Sequence, residues 1–342
     1  MLLSPEVIYN KLPEDYREEK FGNLENLKNS SYMFYSCLNL EFIKFEDNIL
    51  TKNLEDMSYM FYHCDSLYKI NTKIFKENKL TNLNYVFSFC NRLREIDLSE
   101  FETKYITKLI GTFSNCNYLK FINFTNFDTS NVIRMDYMFA NCKEITSLNL
   151  SDFNLENLKN SSYMFYNCKE LKIIEFNDNT LTKNLEDMSL MFYHCQSLLN
   201  INTRIFKKNK LKNLNFVFIF CFSLEEIDLS QFETKYITEL IGTFGYCEGL
   251  KIINFSQKVA NGVNKPTLKF IMDMQYGLSK GGSCLISNIA RSLNETNKLQ
   301  NTIERLCDNL SNLSKEEQAN IVDAKQINTK TIETTNINLY FF

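Results

Sequence analysis

Residues 125–142 read TNFDTSNVIRMDYMFANC, and they end on a phrase, Phe-x-x-Cys, that returns along the chain every 26 or 27 residues. A fixed period of roughly 20 to 50 residues is typical of a solenoid, in which each repeat forms one coil and stacks on the next. The period therefore predicts a single elongated array. The nine copies are Phe34/Cys37, Phe61/Cys64, Phe87/Cys90, Phe113/Cys116, Phe139/Cys142, Phe165/Cys168, Phe192/Cys195, Phe218/Cys221 and Phe244/Cys247.

Each copy carries apolar residues at fixed distances from its phenylalanine. Before it, positions such as Met135 and Met138 have the three- and four-residue spacing of a helical turn. After the cysteine, apolar residues such as Leu148 and Leu150 alternate with polar ones, as in a strand. We therefore predict an α/β repeat, in which each coil is one short strand, a polar turn and a short helix or tight helical turn, and the stacked strands form a parallel sheet.

The repeat divides the chain into three segments. The array of about nine coils runs over residues 24–257, after an N-terminal cap at 1–23. Within it, two related five-coil blocks are offset by 131 residues, and the second block is truncated. Residues 51–67, for example, match 182–198 at 15 of 17 positions.

Residues 258–342 lack the repeat and are predicted to be mainly helical. Leucine and isoleucine residues between 299 and 313 follow a heptad-like spacing. The end of a solenoid exposes an apolar edge that needs a cap, so the tail is favoured as that cap. A dimerising helix and a loosely attached appendage remain as alternatives.

Composition narrows the class of protein. The net charge of −3 argues against a nucleic-acid partner. No stretch reaches the roughly 18 apolar residues of a membrane span. The first residues, MLLSPEVIYNKLPEDYREEK, lack the basic and apolar regions of a secretory signal. Two equivalent basic stretches, around Lys73 and Lys207, are interpreted as a solvated edge of equivalent coils.

Chemistry-bearing residues are few. The periodic cysteines are interpreted as a buried column of free thiols, rather than as disulfides or metal ligands. The chain has two histidines, His63 and His194, which occupy equivalent places in the two blocks, too far apart to share one site. No phosphate-binding, dinucleotide or nucleophile motif occurs. We therefore expect no enzyme activity, cofactor or metal.

The repeat resembles that of the BspA-type leucine-rich-repeat surface proteins, whose copies read S-x-F-D-T-S-x-V-x-x-M-x-x-M-F-x-x-C-x-x-L. Residues 125–142 match this pattern best. The resemblance implies a leucine-rich-repeat fold and a binding or adhesion function towards a protein or glycan. It also implies a secreted or cell-surface location, whereas the missing signal sequence leaves a cytoplasmic location open.

The strand pattern predicts which residues face a partner. If the sixth and eighth residues after each cysteine are buried, the fifth and seventh point outward. Apolar residues that face outward and are rimmed by polar ones mark a protein-binding surface; scattered surface residues and a structural spacer without a ligand are the alternatives. The candidate partner-binding residues are Phe42, Phe121, Ile173 and Ile252 in the fifth position, and Asp97, Asn123, Glu175 and Asp228 in the seventh.

Overall fold

Short strands follow the cysteine of most repeats. The structure, a computed structural model, describes residues 18–21, 26–45, 51–177, 179–229, 232–233, 236–239 and 242–254. The strands are β1 (Glu18–Phe21), β2 (Phe42–Phe45), β3 (Lys69–Ile70), β4 (Glu95–Asp97), β5 (Phe121–Asn123), β6 (Ser147–Asn149), β7 (Ile173–Glu175), β8 (Glu226–Asp228) and β9 (Ile252–Asn254).

All of the strand pairs in the described residues are parallel, as the repeat predicts. β1, β2 and β3 form one sheet, and β4–β5, β6–β7 and β8–β9 form three further pairs. Isolated parallel bridges continue the stacking outside the strands: eight of them join nine successive positions, from Asn29 to Glu239. The predicted stack of coils is therefore present over the described part of the chain.

Of the two terminal segments predicted from the sequence, only part of the N-terminal cap lies within the described residues. β1 lies within the predicted cap, residues 1–23, and pairs with the first strand of the array, Glu18 opposite Phe42. Two compact units, Met1–Asn294 and Glu295–Phe342, divide the chain, and every described residue belongs to the first. The predicted helical tail, 258–342, lies outside the described residues.

Tight turns precede each cysteine, so of the two predicted forms, a short helix or a tight turn, the helix is wrong. The described residues contain no α-helix, and the 3-10 helices Thr72–Phe75 and Thr203–Phe206 follow a strand position instead. Around Phe61, both Tyr59 and His63 have left-handed backbone angles, with φ of 57° and 60°. A residue in that region cannot continue a right-handed helix. The three-residue spacing comes from consecutive tight turns.

The amides of these turns alternate between two destinations. Met60 donates within its own coil, to the carbonyl of Met57 at 3.0 Å. Phe61 donates to the next coil, to the carbonyl of Val86 at 2.9 Å. This alternation satisfies the backbone of a buried non-helical segment, which would otherwise cost free energy. Each coil thus needs its neighbour in order to form its own hydrogen bonds.

The repeat phenylalanines form one stacked column through the core. Their rings follow each other at centroid separations of 5.2 to 5.9 Å and interplanar angles of at most 12°. The rings are buried, and leucine, isoleucine, valine and methionine side chains at the other fixed positions pack around them. The offset stack combines apolar burial with favourable ring geometry.

The repeat cysteines form a second column and do more than fill space. None of the nine forms a disulfide, and all but the half-buried Cys37 are buried. Each buried thiol donates a hydrogen bond to the phenylalanine carbonyl of the preceding coil, as from Cys142 to Phe113 at 3.1 Å. The same contact recurs from Cys64 to Cys247. A cysteine therefore suits this position because it is small and apolar and also provides a weak donor.

Replacing a ring in the middle of the column tests the core. Phe139 is buried between Phe113 and Phe165. We expect Phe139→Ala to lower the free energy of unfolding by about 3–5 kcal/mol, because it leaves a cavity. Urea titration measures the loss, with the exposed Phe121→Ala as control at under about 0.5 kcal/mol. Equal losses in the two variants would contradict the assigned core.

The thiol column also predicts a pH dependence. Burial raises the pKa of Cys116 from 9.0 to about 12. Between pH 9 and about pH 12 the unfolded chain loses a proton that the folded chain keeps, and this favours unfolding. The contribution of Cys116 to the free energy of unfolding is therefore complete below pH 9 and decreases as the pH rises. Cys116→Ser keeps a hydrogen-bond donor that does not titrate. It should make the fall in the free energy of unfolding over this pH range less steep by about 1.4 kcal/mol per pH unit. Parallel stability curves for the two proteins would contradict this assignment.

Candidate partner-binding surfaces

The strands place the predicted outward positions on the surface. In β4, β6 and β7 the middle residue is buried and the residues on either side are exposed. In β5, Phe121 keeps 60% of its surface exposed beside the buried Ile122. Ile173 in β7 is 44% exposed. The strand alternation thus has the predicted orientation, and it brings two large apolar side chains into solvent.

In the strand register, each of the four apolar candidates lies opposite polar or charged residues. Glu18 and Lys69 lie opposite Phe42. Glu95 lies opposite Phe121, Ser147 opposite Ile173, and Glu226 opposite Ile252. The half-buried Phe42 also packs against the ring of Tyr68, at 6.1 Å between centroids. The face is therefore a polar surface with apolar residues at intervals, and no strand pair of the described residues joins two of the four.

Two of the polar candidates have a structural task. The side-chain oxygen of Asp97 accepts from the amide of Ser99 at 2.9 Å, and that of Asn123 accepts from the amide of Thr125 at 3.0 Å. These Asx turns end the strands. The hydrogen bonds from Ser99, first that of its amide, lower the pKa of Asp97. Glu175 is exposed and Asp228 half-buried at the equivalent positions of β7 and β8. A binding role for the four residues remains a prediction.

Stacked aromatic side chains on the turns form a surface that the sequence reasoning missed. Tyr32, Tyr59 and Tyr85 stack at 4.9 and 5.0 Å, and Tyr137 stacks on Tyr163 at 4.4 Å. All five have left-handed backbone angles. The signal was present in the sequence as tyrosine recurring two residues before the repeat phenylalanine.

The aromatic columns join successive coils through ring contacts. Each ring stacks on at least one ring of a neighbouring coil, and Tyr32 and Tyr137 remain exposed. The column of Tyr32, Tyr59 and Tyr85 ends on a glycine: a Cβ on Gly111 would lie 2.2 Å from Cε1 of Tyr85. Gly111 thus leaves room for the last ring. In the second block, Phe216 covers Gly242 in the same way.

The two histidines occupy matching aromatic contacts. His63 meets the ring of Phe89 edge-on at 5.5 Å, and His194 meets Phe220 at 5.4 Å. His63 also approaches Asp65 at 3.4 Å, where the second block has Gln196 instead. Burial, with a smaller effect from Lys169, lowers the pKa of His194. Each histidine is therefore part of the turn surface of its own block.

The described residues contain neither a cluster of metal ligands nor a membrane-spanning helix. No three histidine, cysteine, aspartate or glutamate side chains there come together as a metal site would require. None of the helices in the described ranges is long and apolar enough to span a bilayer.

The parallel strands, the stacked apolar columns and the 26-residue period define a leucine-rich-repeat solenoid. The chain matches the profile of the BspA-type leucine-rich-repeat region in six copies over residues 23–134. It also matches the family described as Mycoplasma protein of unknown function, DUF285, over residues 81–198 and 172–274, which together exceed half of the chain. The chain therefore belongs to DUF285, and its residues 23–134 form a BspA-type leucine-rich-repeat region. No curated protein sequence matches it.

Solved structures of leucine-rich-repeat proteins are similar at low sequence identity. One from Bacteroides ovatus has 17% identity and a TM-score of 0.32, covering 70% of this chain and 72% of its own. A leucine-rich cell-surface protein from Faecalibacterium prausnitzii has 16% identity and a TM-score of 0.27, covering 74% and 85%. One from Leptospira interrogans has 13% identity and a TM-score of 0.31, covering 64% and 50%.

The junction of Gly111 with Tyr85 can be tested by a double-mutant cycle. We expect Gly111→Ala to destabilise the protein by about 1–3 kcal/mol, because the new methyl group meets the tyrosine ring. In a Tyr85→Ala background the same change should cost less, since the ring is gone. Urea titration of the four proteins gives the coupling. Equal costs in both backgrounds would mean that the left-handed backbone angle alone is responsible.

Proposed function

We propose that the array is a binding module that holds a protein or glycan partner against the outward face of its sheet. Leucine-rich-repeat proteins generally mediate protein binding or adhesion, which supports this class of function. BspA-type leucine-rich-repeat proteins are often found at the cell surface, and we propose the same location here. Dimerisation through the tail at 258–342 remains a prediction.

The exposure of Phe121 carries the proposal. A phenylalanine with 60% of its surface in water, at the start of a short strand, leaves a large apolar ring without cover. Its neighbours across and along the sheet, Glu95 and Asn123, are polar. An apolar anchor inside a polar rim is the usual composition of an interface centre. Ile173, two coils further along the array, offers a second anchor of the same kind.

The separation of the anchors limits the kind of partner. Ser147 lies between the positions of Phe121 and Ile173, one coil from each. A partner that contacts both must therefore cross three coils, a span of about 10 Å at the usual strand spacing. We expect a partner that lies along the array and not one that enters a single pocket.

Replacing the two exposed anchors tests the proposal. We expect Phe121→Ser with Ile173→Ser to shift the free energy of unfolding by under about 0.5 kcal/mol per site, since both side chains are already in water. Partners identified by crosslinking to the wild-type protein should bind the variant at least tenfold more weakly, because few apolar residues carry most of an interface energy. Titration by surface plasmon resonance measures the change.

A matched control separates this face from general surface apolarity. Tyr105 and Tyr236 are equivalent in the two blocks, are exposed to a similar extent as Ile173, and lie outside the strands. Tyr105→Ser with Tyr236→Ser should leave partner binding unchanged. If every partner binds all three proteins equally, the sheet face is not the binding surface and the spacer alternative gains support.

A further inference from the structure

The two blocks of the array carry different charges on one equivalent loop. Residues 202–212, NTRIFKKNKLK, contain five cationic side chains and no acidic one. The equivalent residues 71–81, NTKIFKENKLT, contain three cationic side chains and one glutamate. The formal charge of the loop is thus +5 in the second block and +2 in the first, in a chain whose net charge is −3.

The difference is confined to side chains, because the loop fold is the same. Both loops contain a four-residue 3-10 helix, Thr72–Phe75 or Thr203–Phe206, capped by an asparagine. In both, a buried asparagine, Asn78 or Asn209, hydrogen-bonds across the loop to the carbonyl at the end of this helix. Glu77 and Lys208 have nearly the same left-handed φ, 60° and 61°. The first block is therefore a natural control for the second.

The second block has Lys208 where the first block has Glu77, and this difference removes the carboxylate of an ion pair. In the first block, Lys52 approaches the carboxylate of Glu77 at 3.7 Å. The equivalent residues of the second block are Lys183 and Lys208, which cannot pair. Lys183 instead contacts Glu156 of the preceding coil at 2.7 Å. Lys208 has no ion pair within the described residues.

Further lysines extend the basic surface along the coil edge. Lys212, where the first block has Thr81, contacts Glu186 at 2.6 Å. The hydrogen bond from Lys212, with the charges of Lys159 and Lys210, lowers the pKa of Glu186. Arg204, Lys207 and Lys210 are exposed and make no ion pair with a described residue. We call the loop residues Arg204, Lys207, Lys208, Lys210 and Lys212 the basic edge.

We propose that the basic edge binds an acidic segment of a protein partner, whose carboxylates take the place that Glu77 holds in the first block. Lysine is the main cation, and its ammonium group binds single carboxylates without the fixed fork by which arginine holds phosphates. The nearest aromatic ring of the loop, Phe206, is buried, so no ring face is offered to a base or a sugar. These features favour an acidic peptide over nucleic acid or a sulfated glycan.

The proposal rests on the proposed binding function but concerns a different surface. The basic edge lies on the loop after the strand position, whereas Phe121 and Ile173 lie on strands of other coils. The loop is held in place by the buried Asn209, which also accepts from the amide of Leu211 at 3.1 Å. Such a preformed loop has little backbone freedom left to lose on binding.

A charge exchange between the blocks tests the proposal. The probe is a fluorescein-labelled dodecamer of glutamate, titrated with the full chain by fluorescence anisotropy. We expect one site in the wild-type protein and an affinity that falls with added salt. Lys208→Glu with Lys212→Thr gives the loop the charges of the first block, and should weaken binding at least tenfold. Glu77→Lys with Thr81→Lys should create a second site.

The outcomes distinguish the basic edge from the alternatives. Absence of peptide binding, or equal binding by wild-type protein and the Lys208→Glu, Lys212→Thr variant, would overturn the proposal. Tighter binding of a sulfated oligosaccharide or a single-stranded DNA of equal charge would overturn the choice of an acidic peptide. The Phe121→Ser, Ile173→Ser variant should bind the peptide like wild type, so failure of the sheet-face proposal would be seen separately.

Discussion

The structure depends on hydrogen bonds that each coil makes with the next. The turns around the repeat phenylalanine send alternate amides into the neighbouring coil, such as Phe61 to Val86 and Phe139 to Met164. No such turn can satisfy its own backbone, so a single coil has little independent stability. Every other periodic feature, including the phenylalanine and cysteine columns, follows from holding equivalent residues one coil apart.

Because equivalent residues stack, the array restricts which residues can occupy core positions but allows substitutions at surface positions. A core position must suit a column, because each ring stacks on the equivalent ring of the next coil and each buried thiol donates to the preceding coil. A surface position has no such requirement, and the charge of the 202–212 loop differs from that of 71–81 on the same backbone. Duplicated blocks can therefore acquire different surfaces without a change of fold. The proposed sheet face and basic edge both lie at such positions.

The candidate surfaces were only partly accessible to sequence reasoning. Alternation after the cysteine gave the outward direction of Phe121 and Ile173, since period two is a local property of a strand. The tyrosine columns were missed although tyrosine recurs two residues before the repeat phenylalanine, because that recurrence does not by itself show that the rings stack. The basic stretch was noticed but taken as a solvated edge. Its contrast with the first block has meaning only once the structure shows that the two loops have one fold.

The sequence by itself determined the period, the columns of buried residues and the parallel direction of the strands, because identical spacing forces equivalent residues to stack. The sequence did not determine the backbone conformation between one strand and the next. The positions before the cysteine have helical spacing, yet they form turns with Tyr59 and His63 in the left-handed region. Only the tertiary structure decided this, because the amides that a helix would satisfy internally are satisfied by the next coil, which no local pattern encodes.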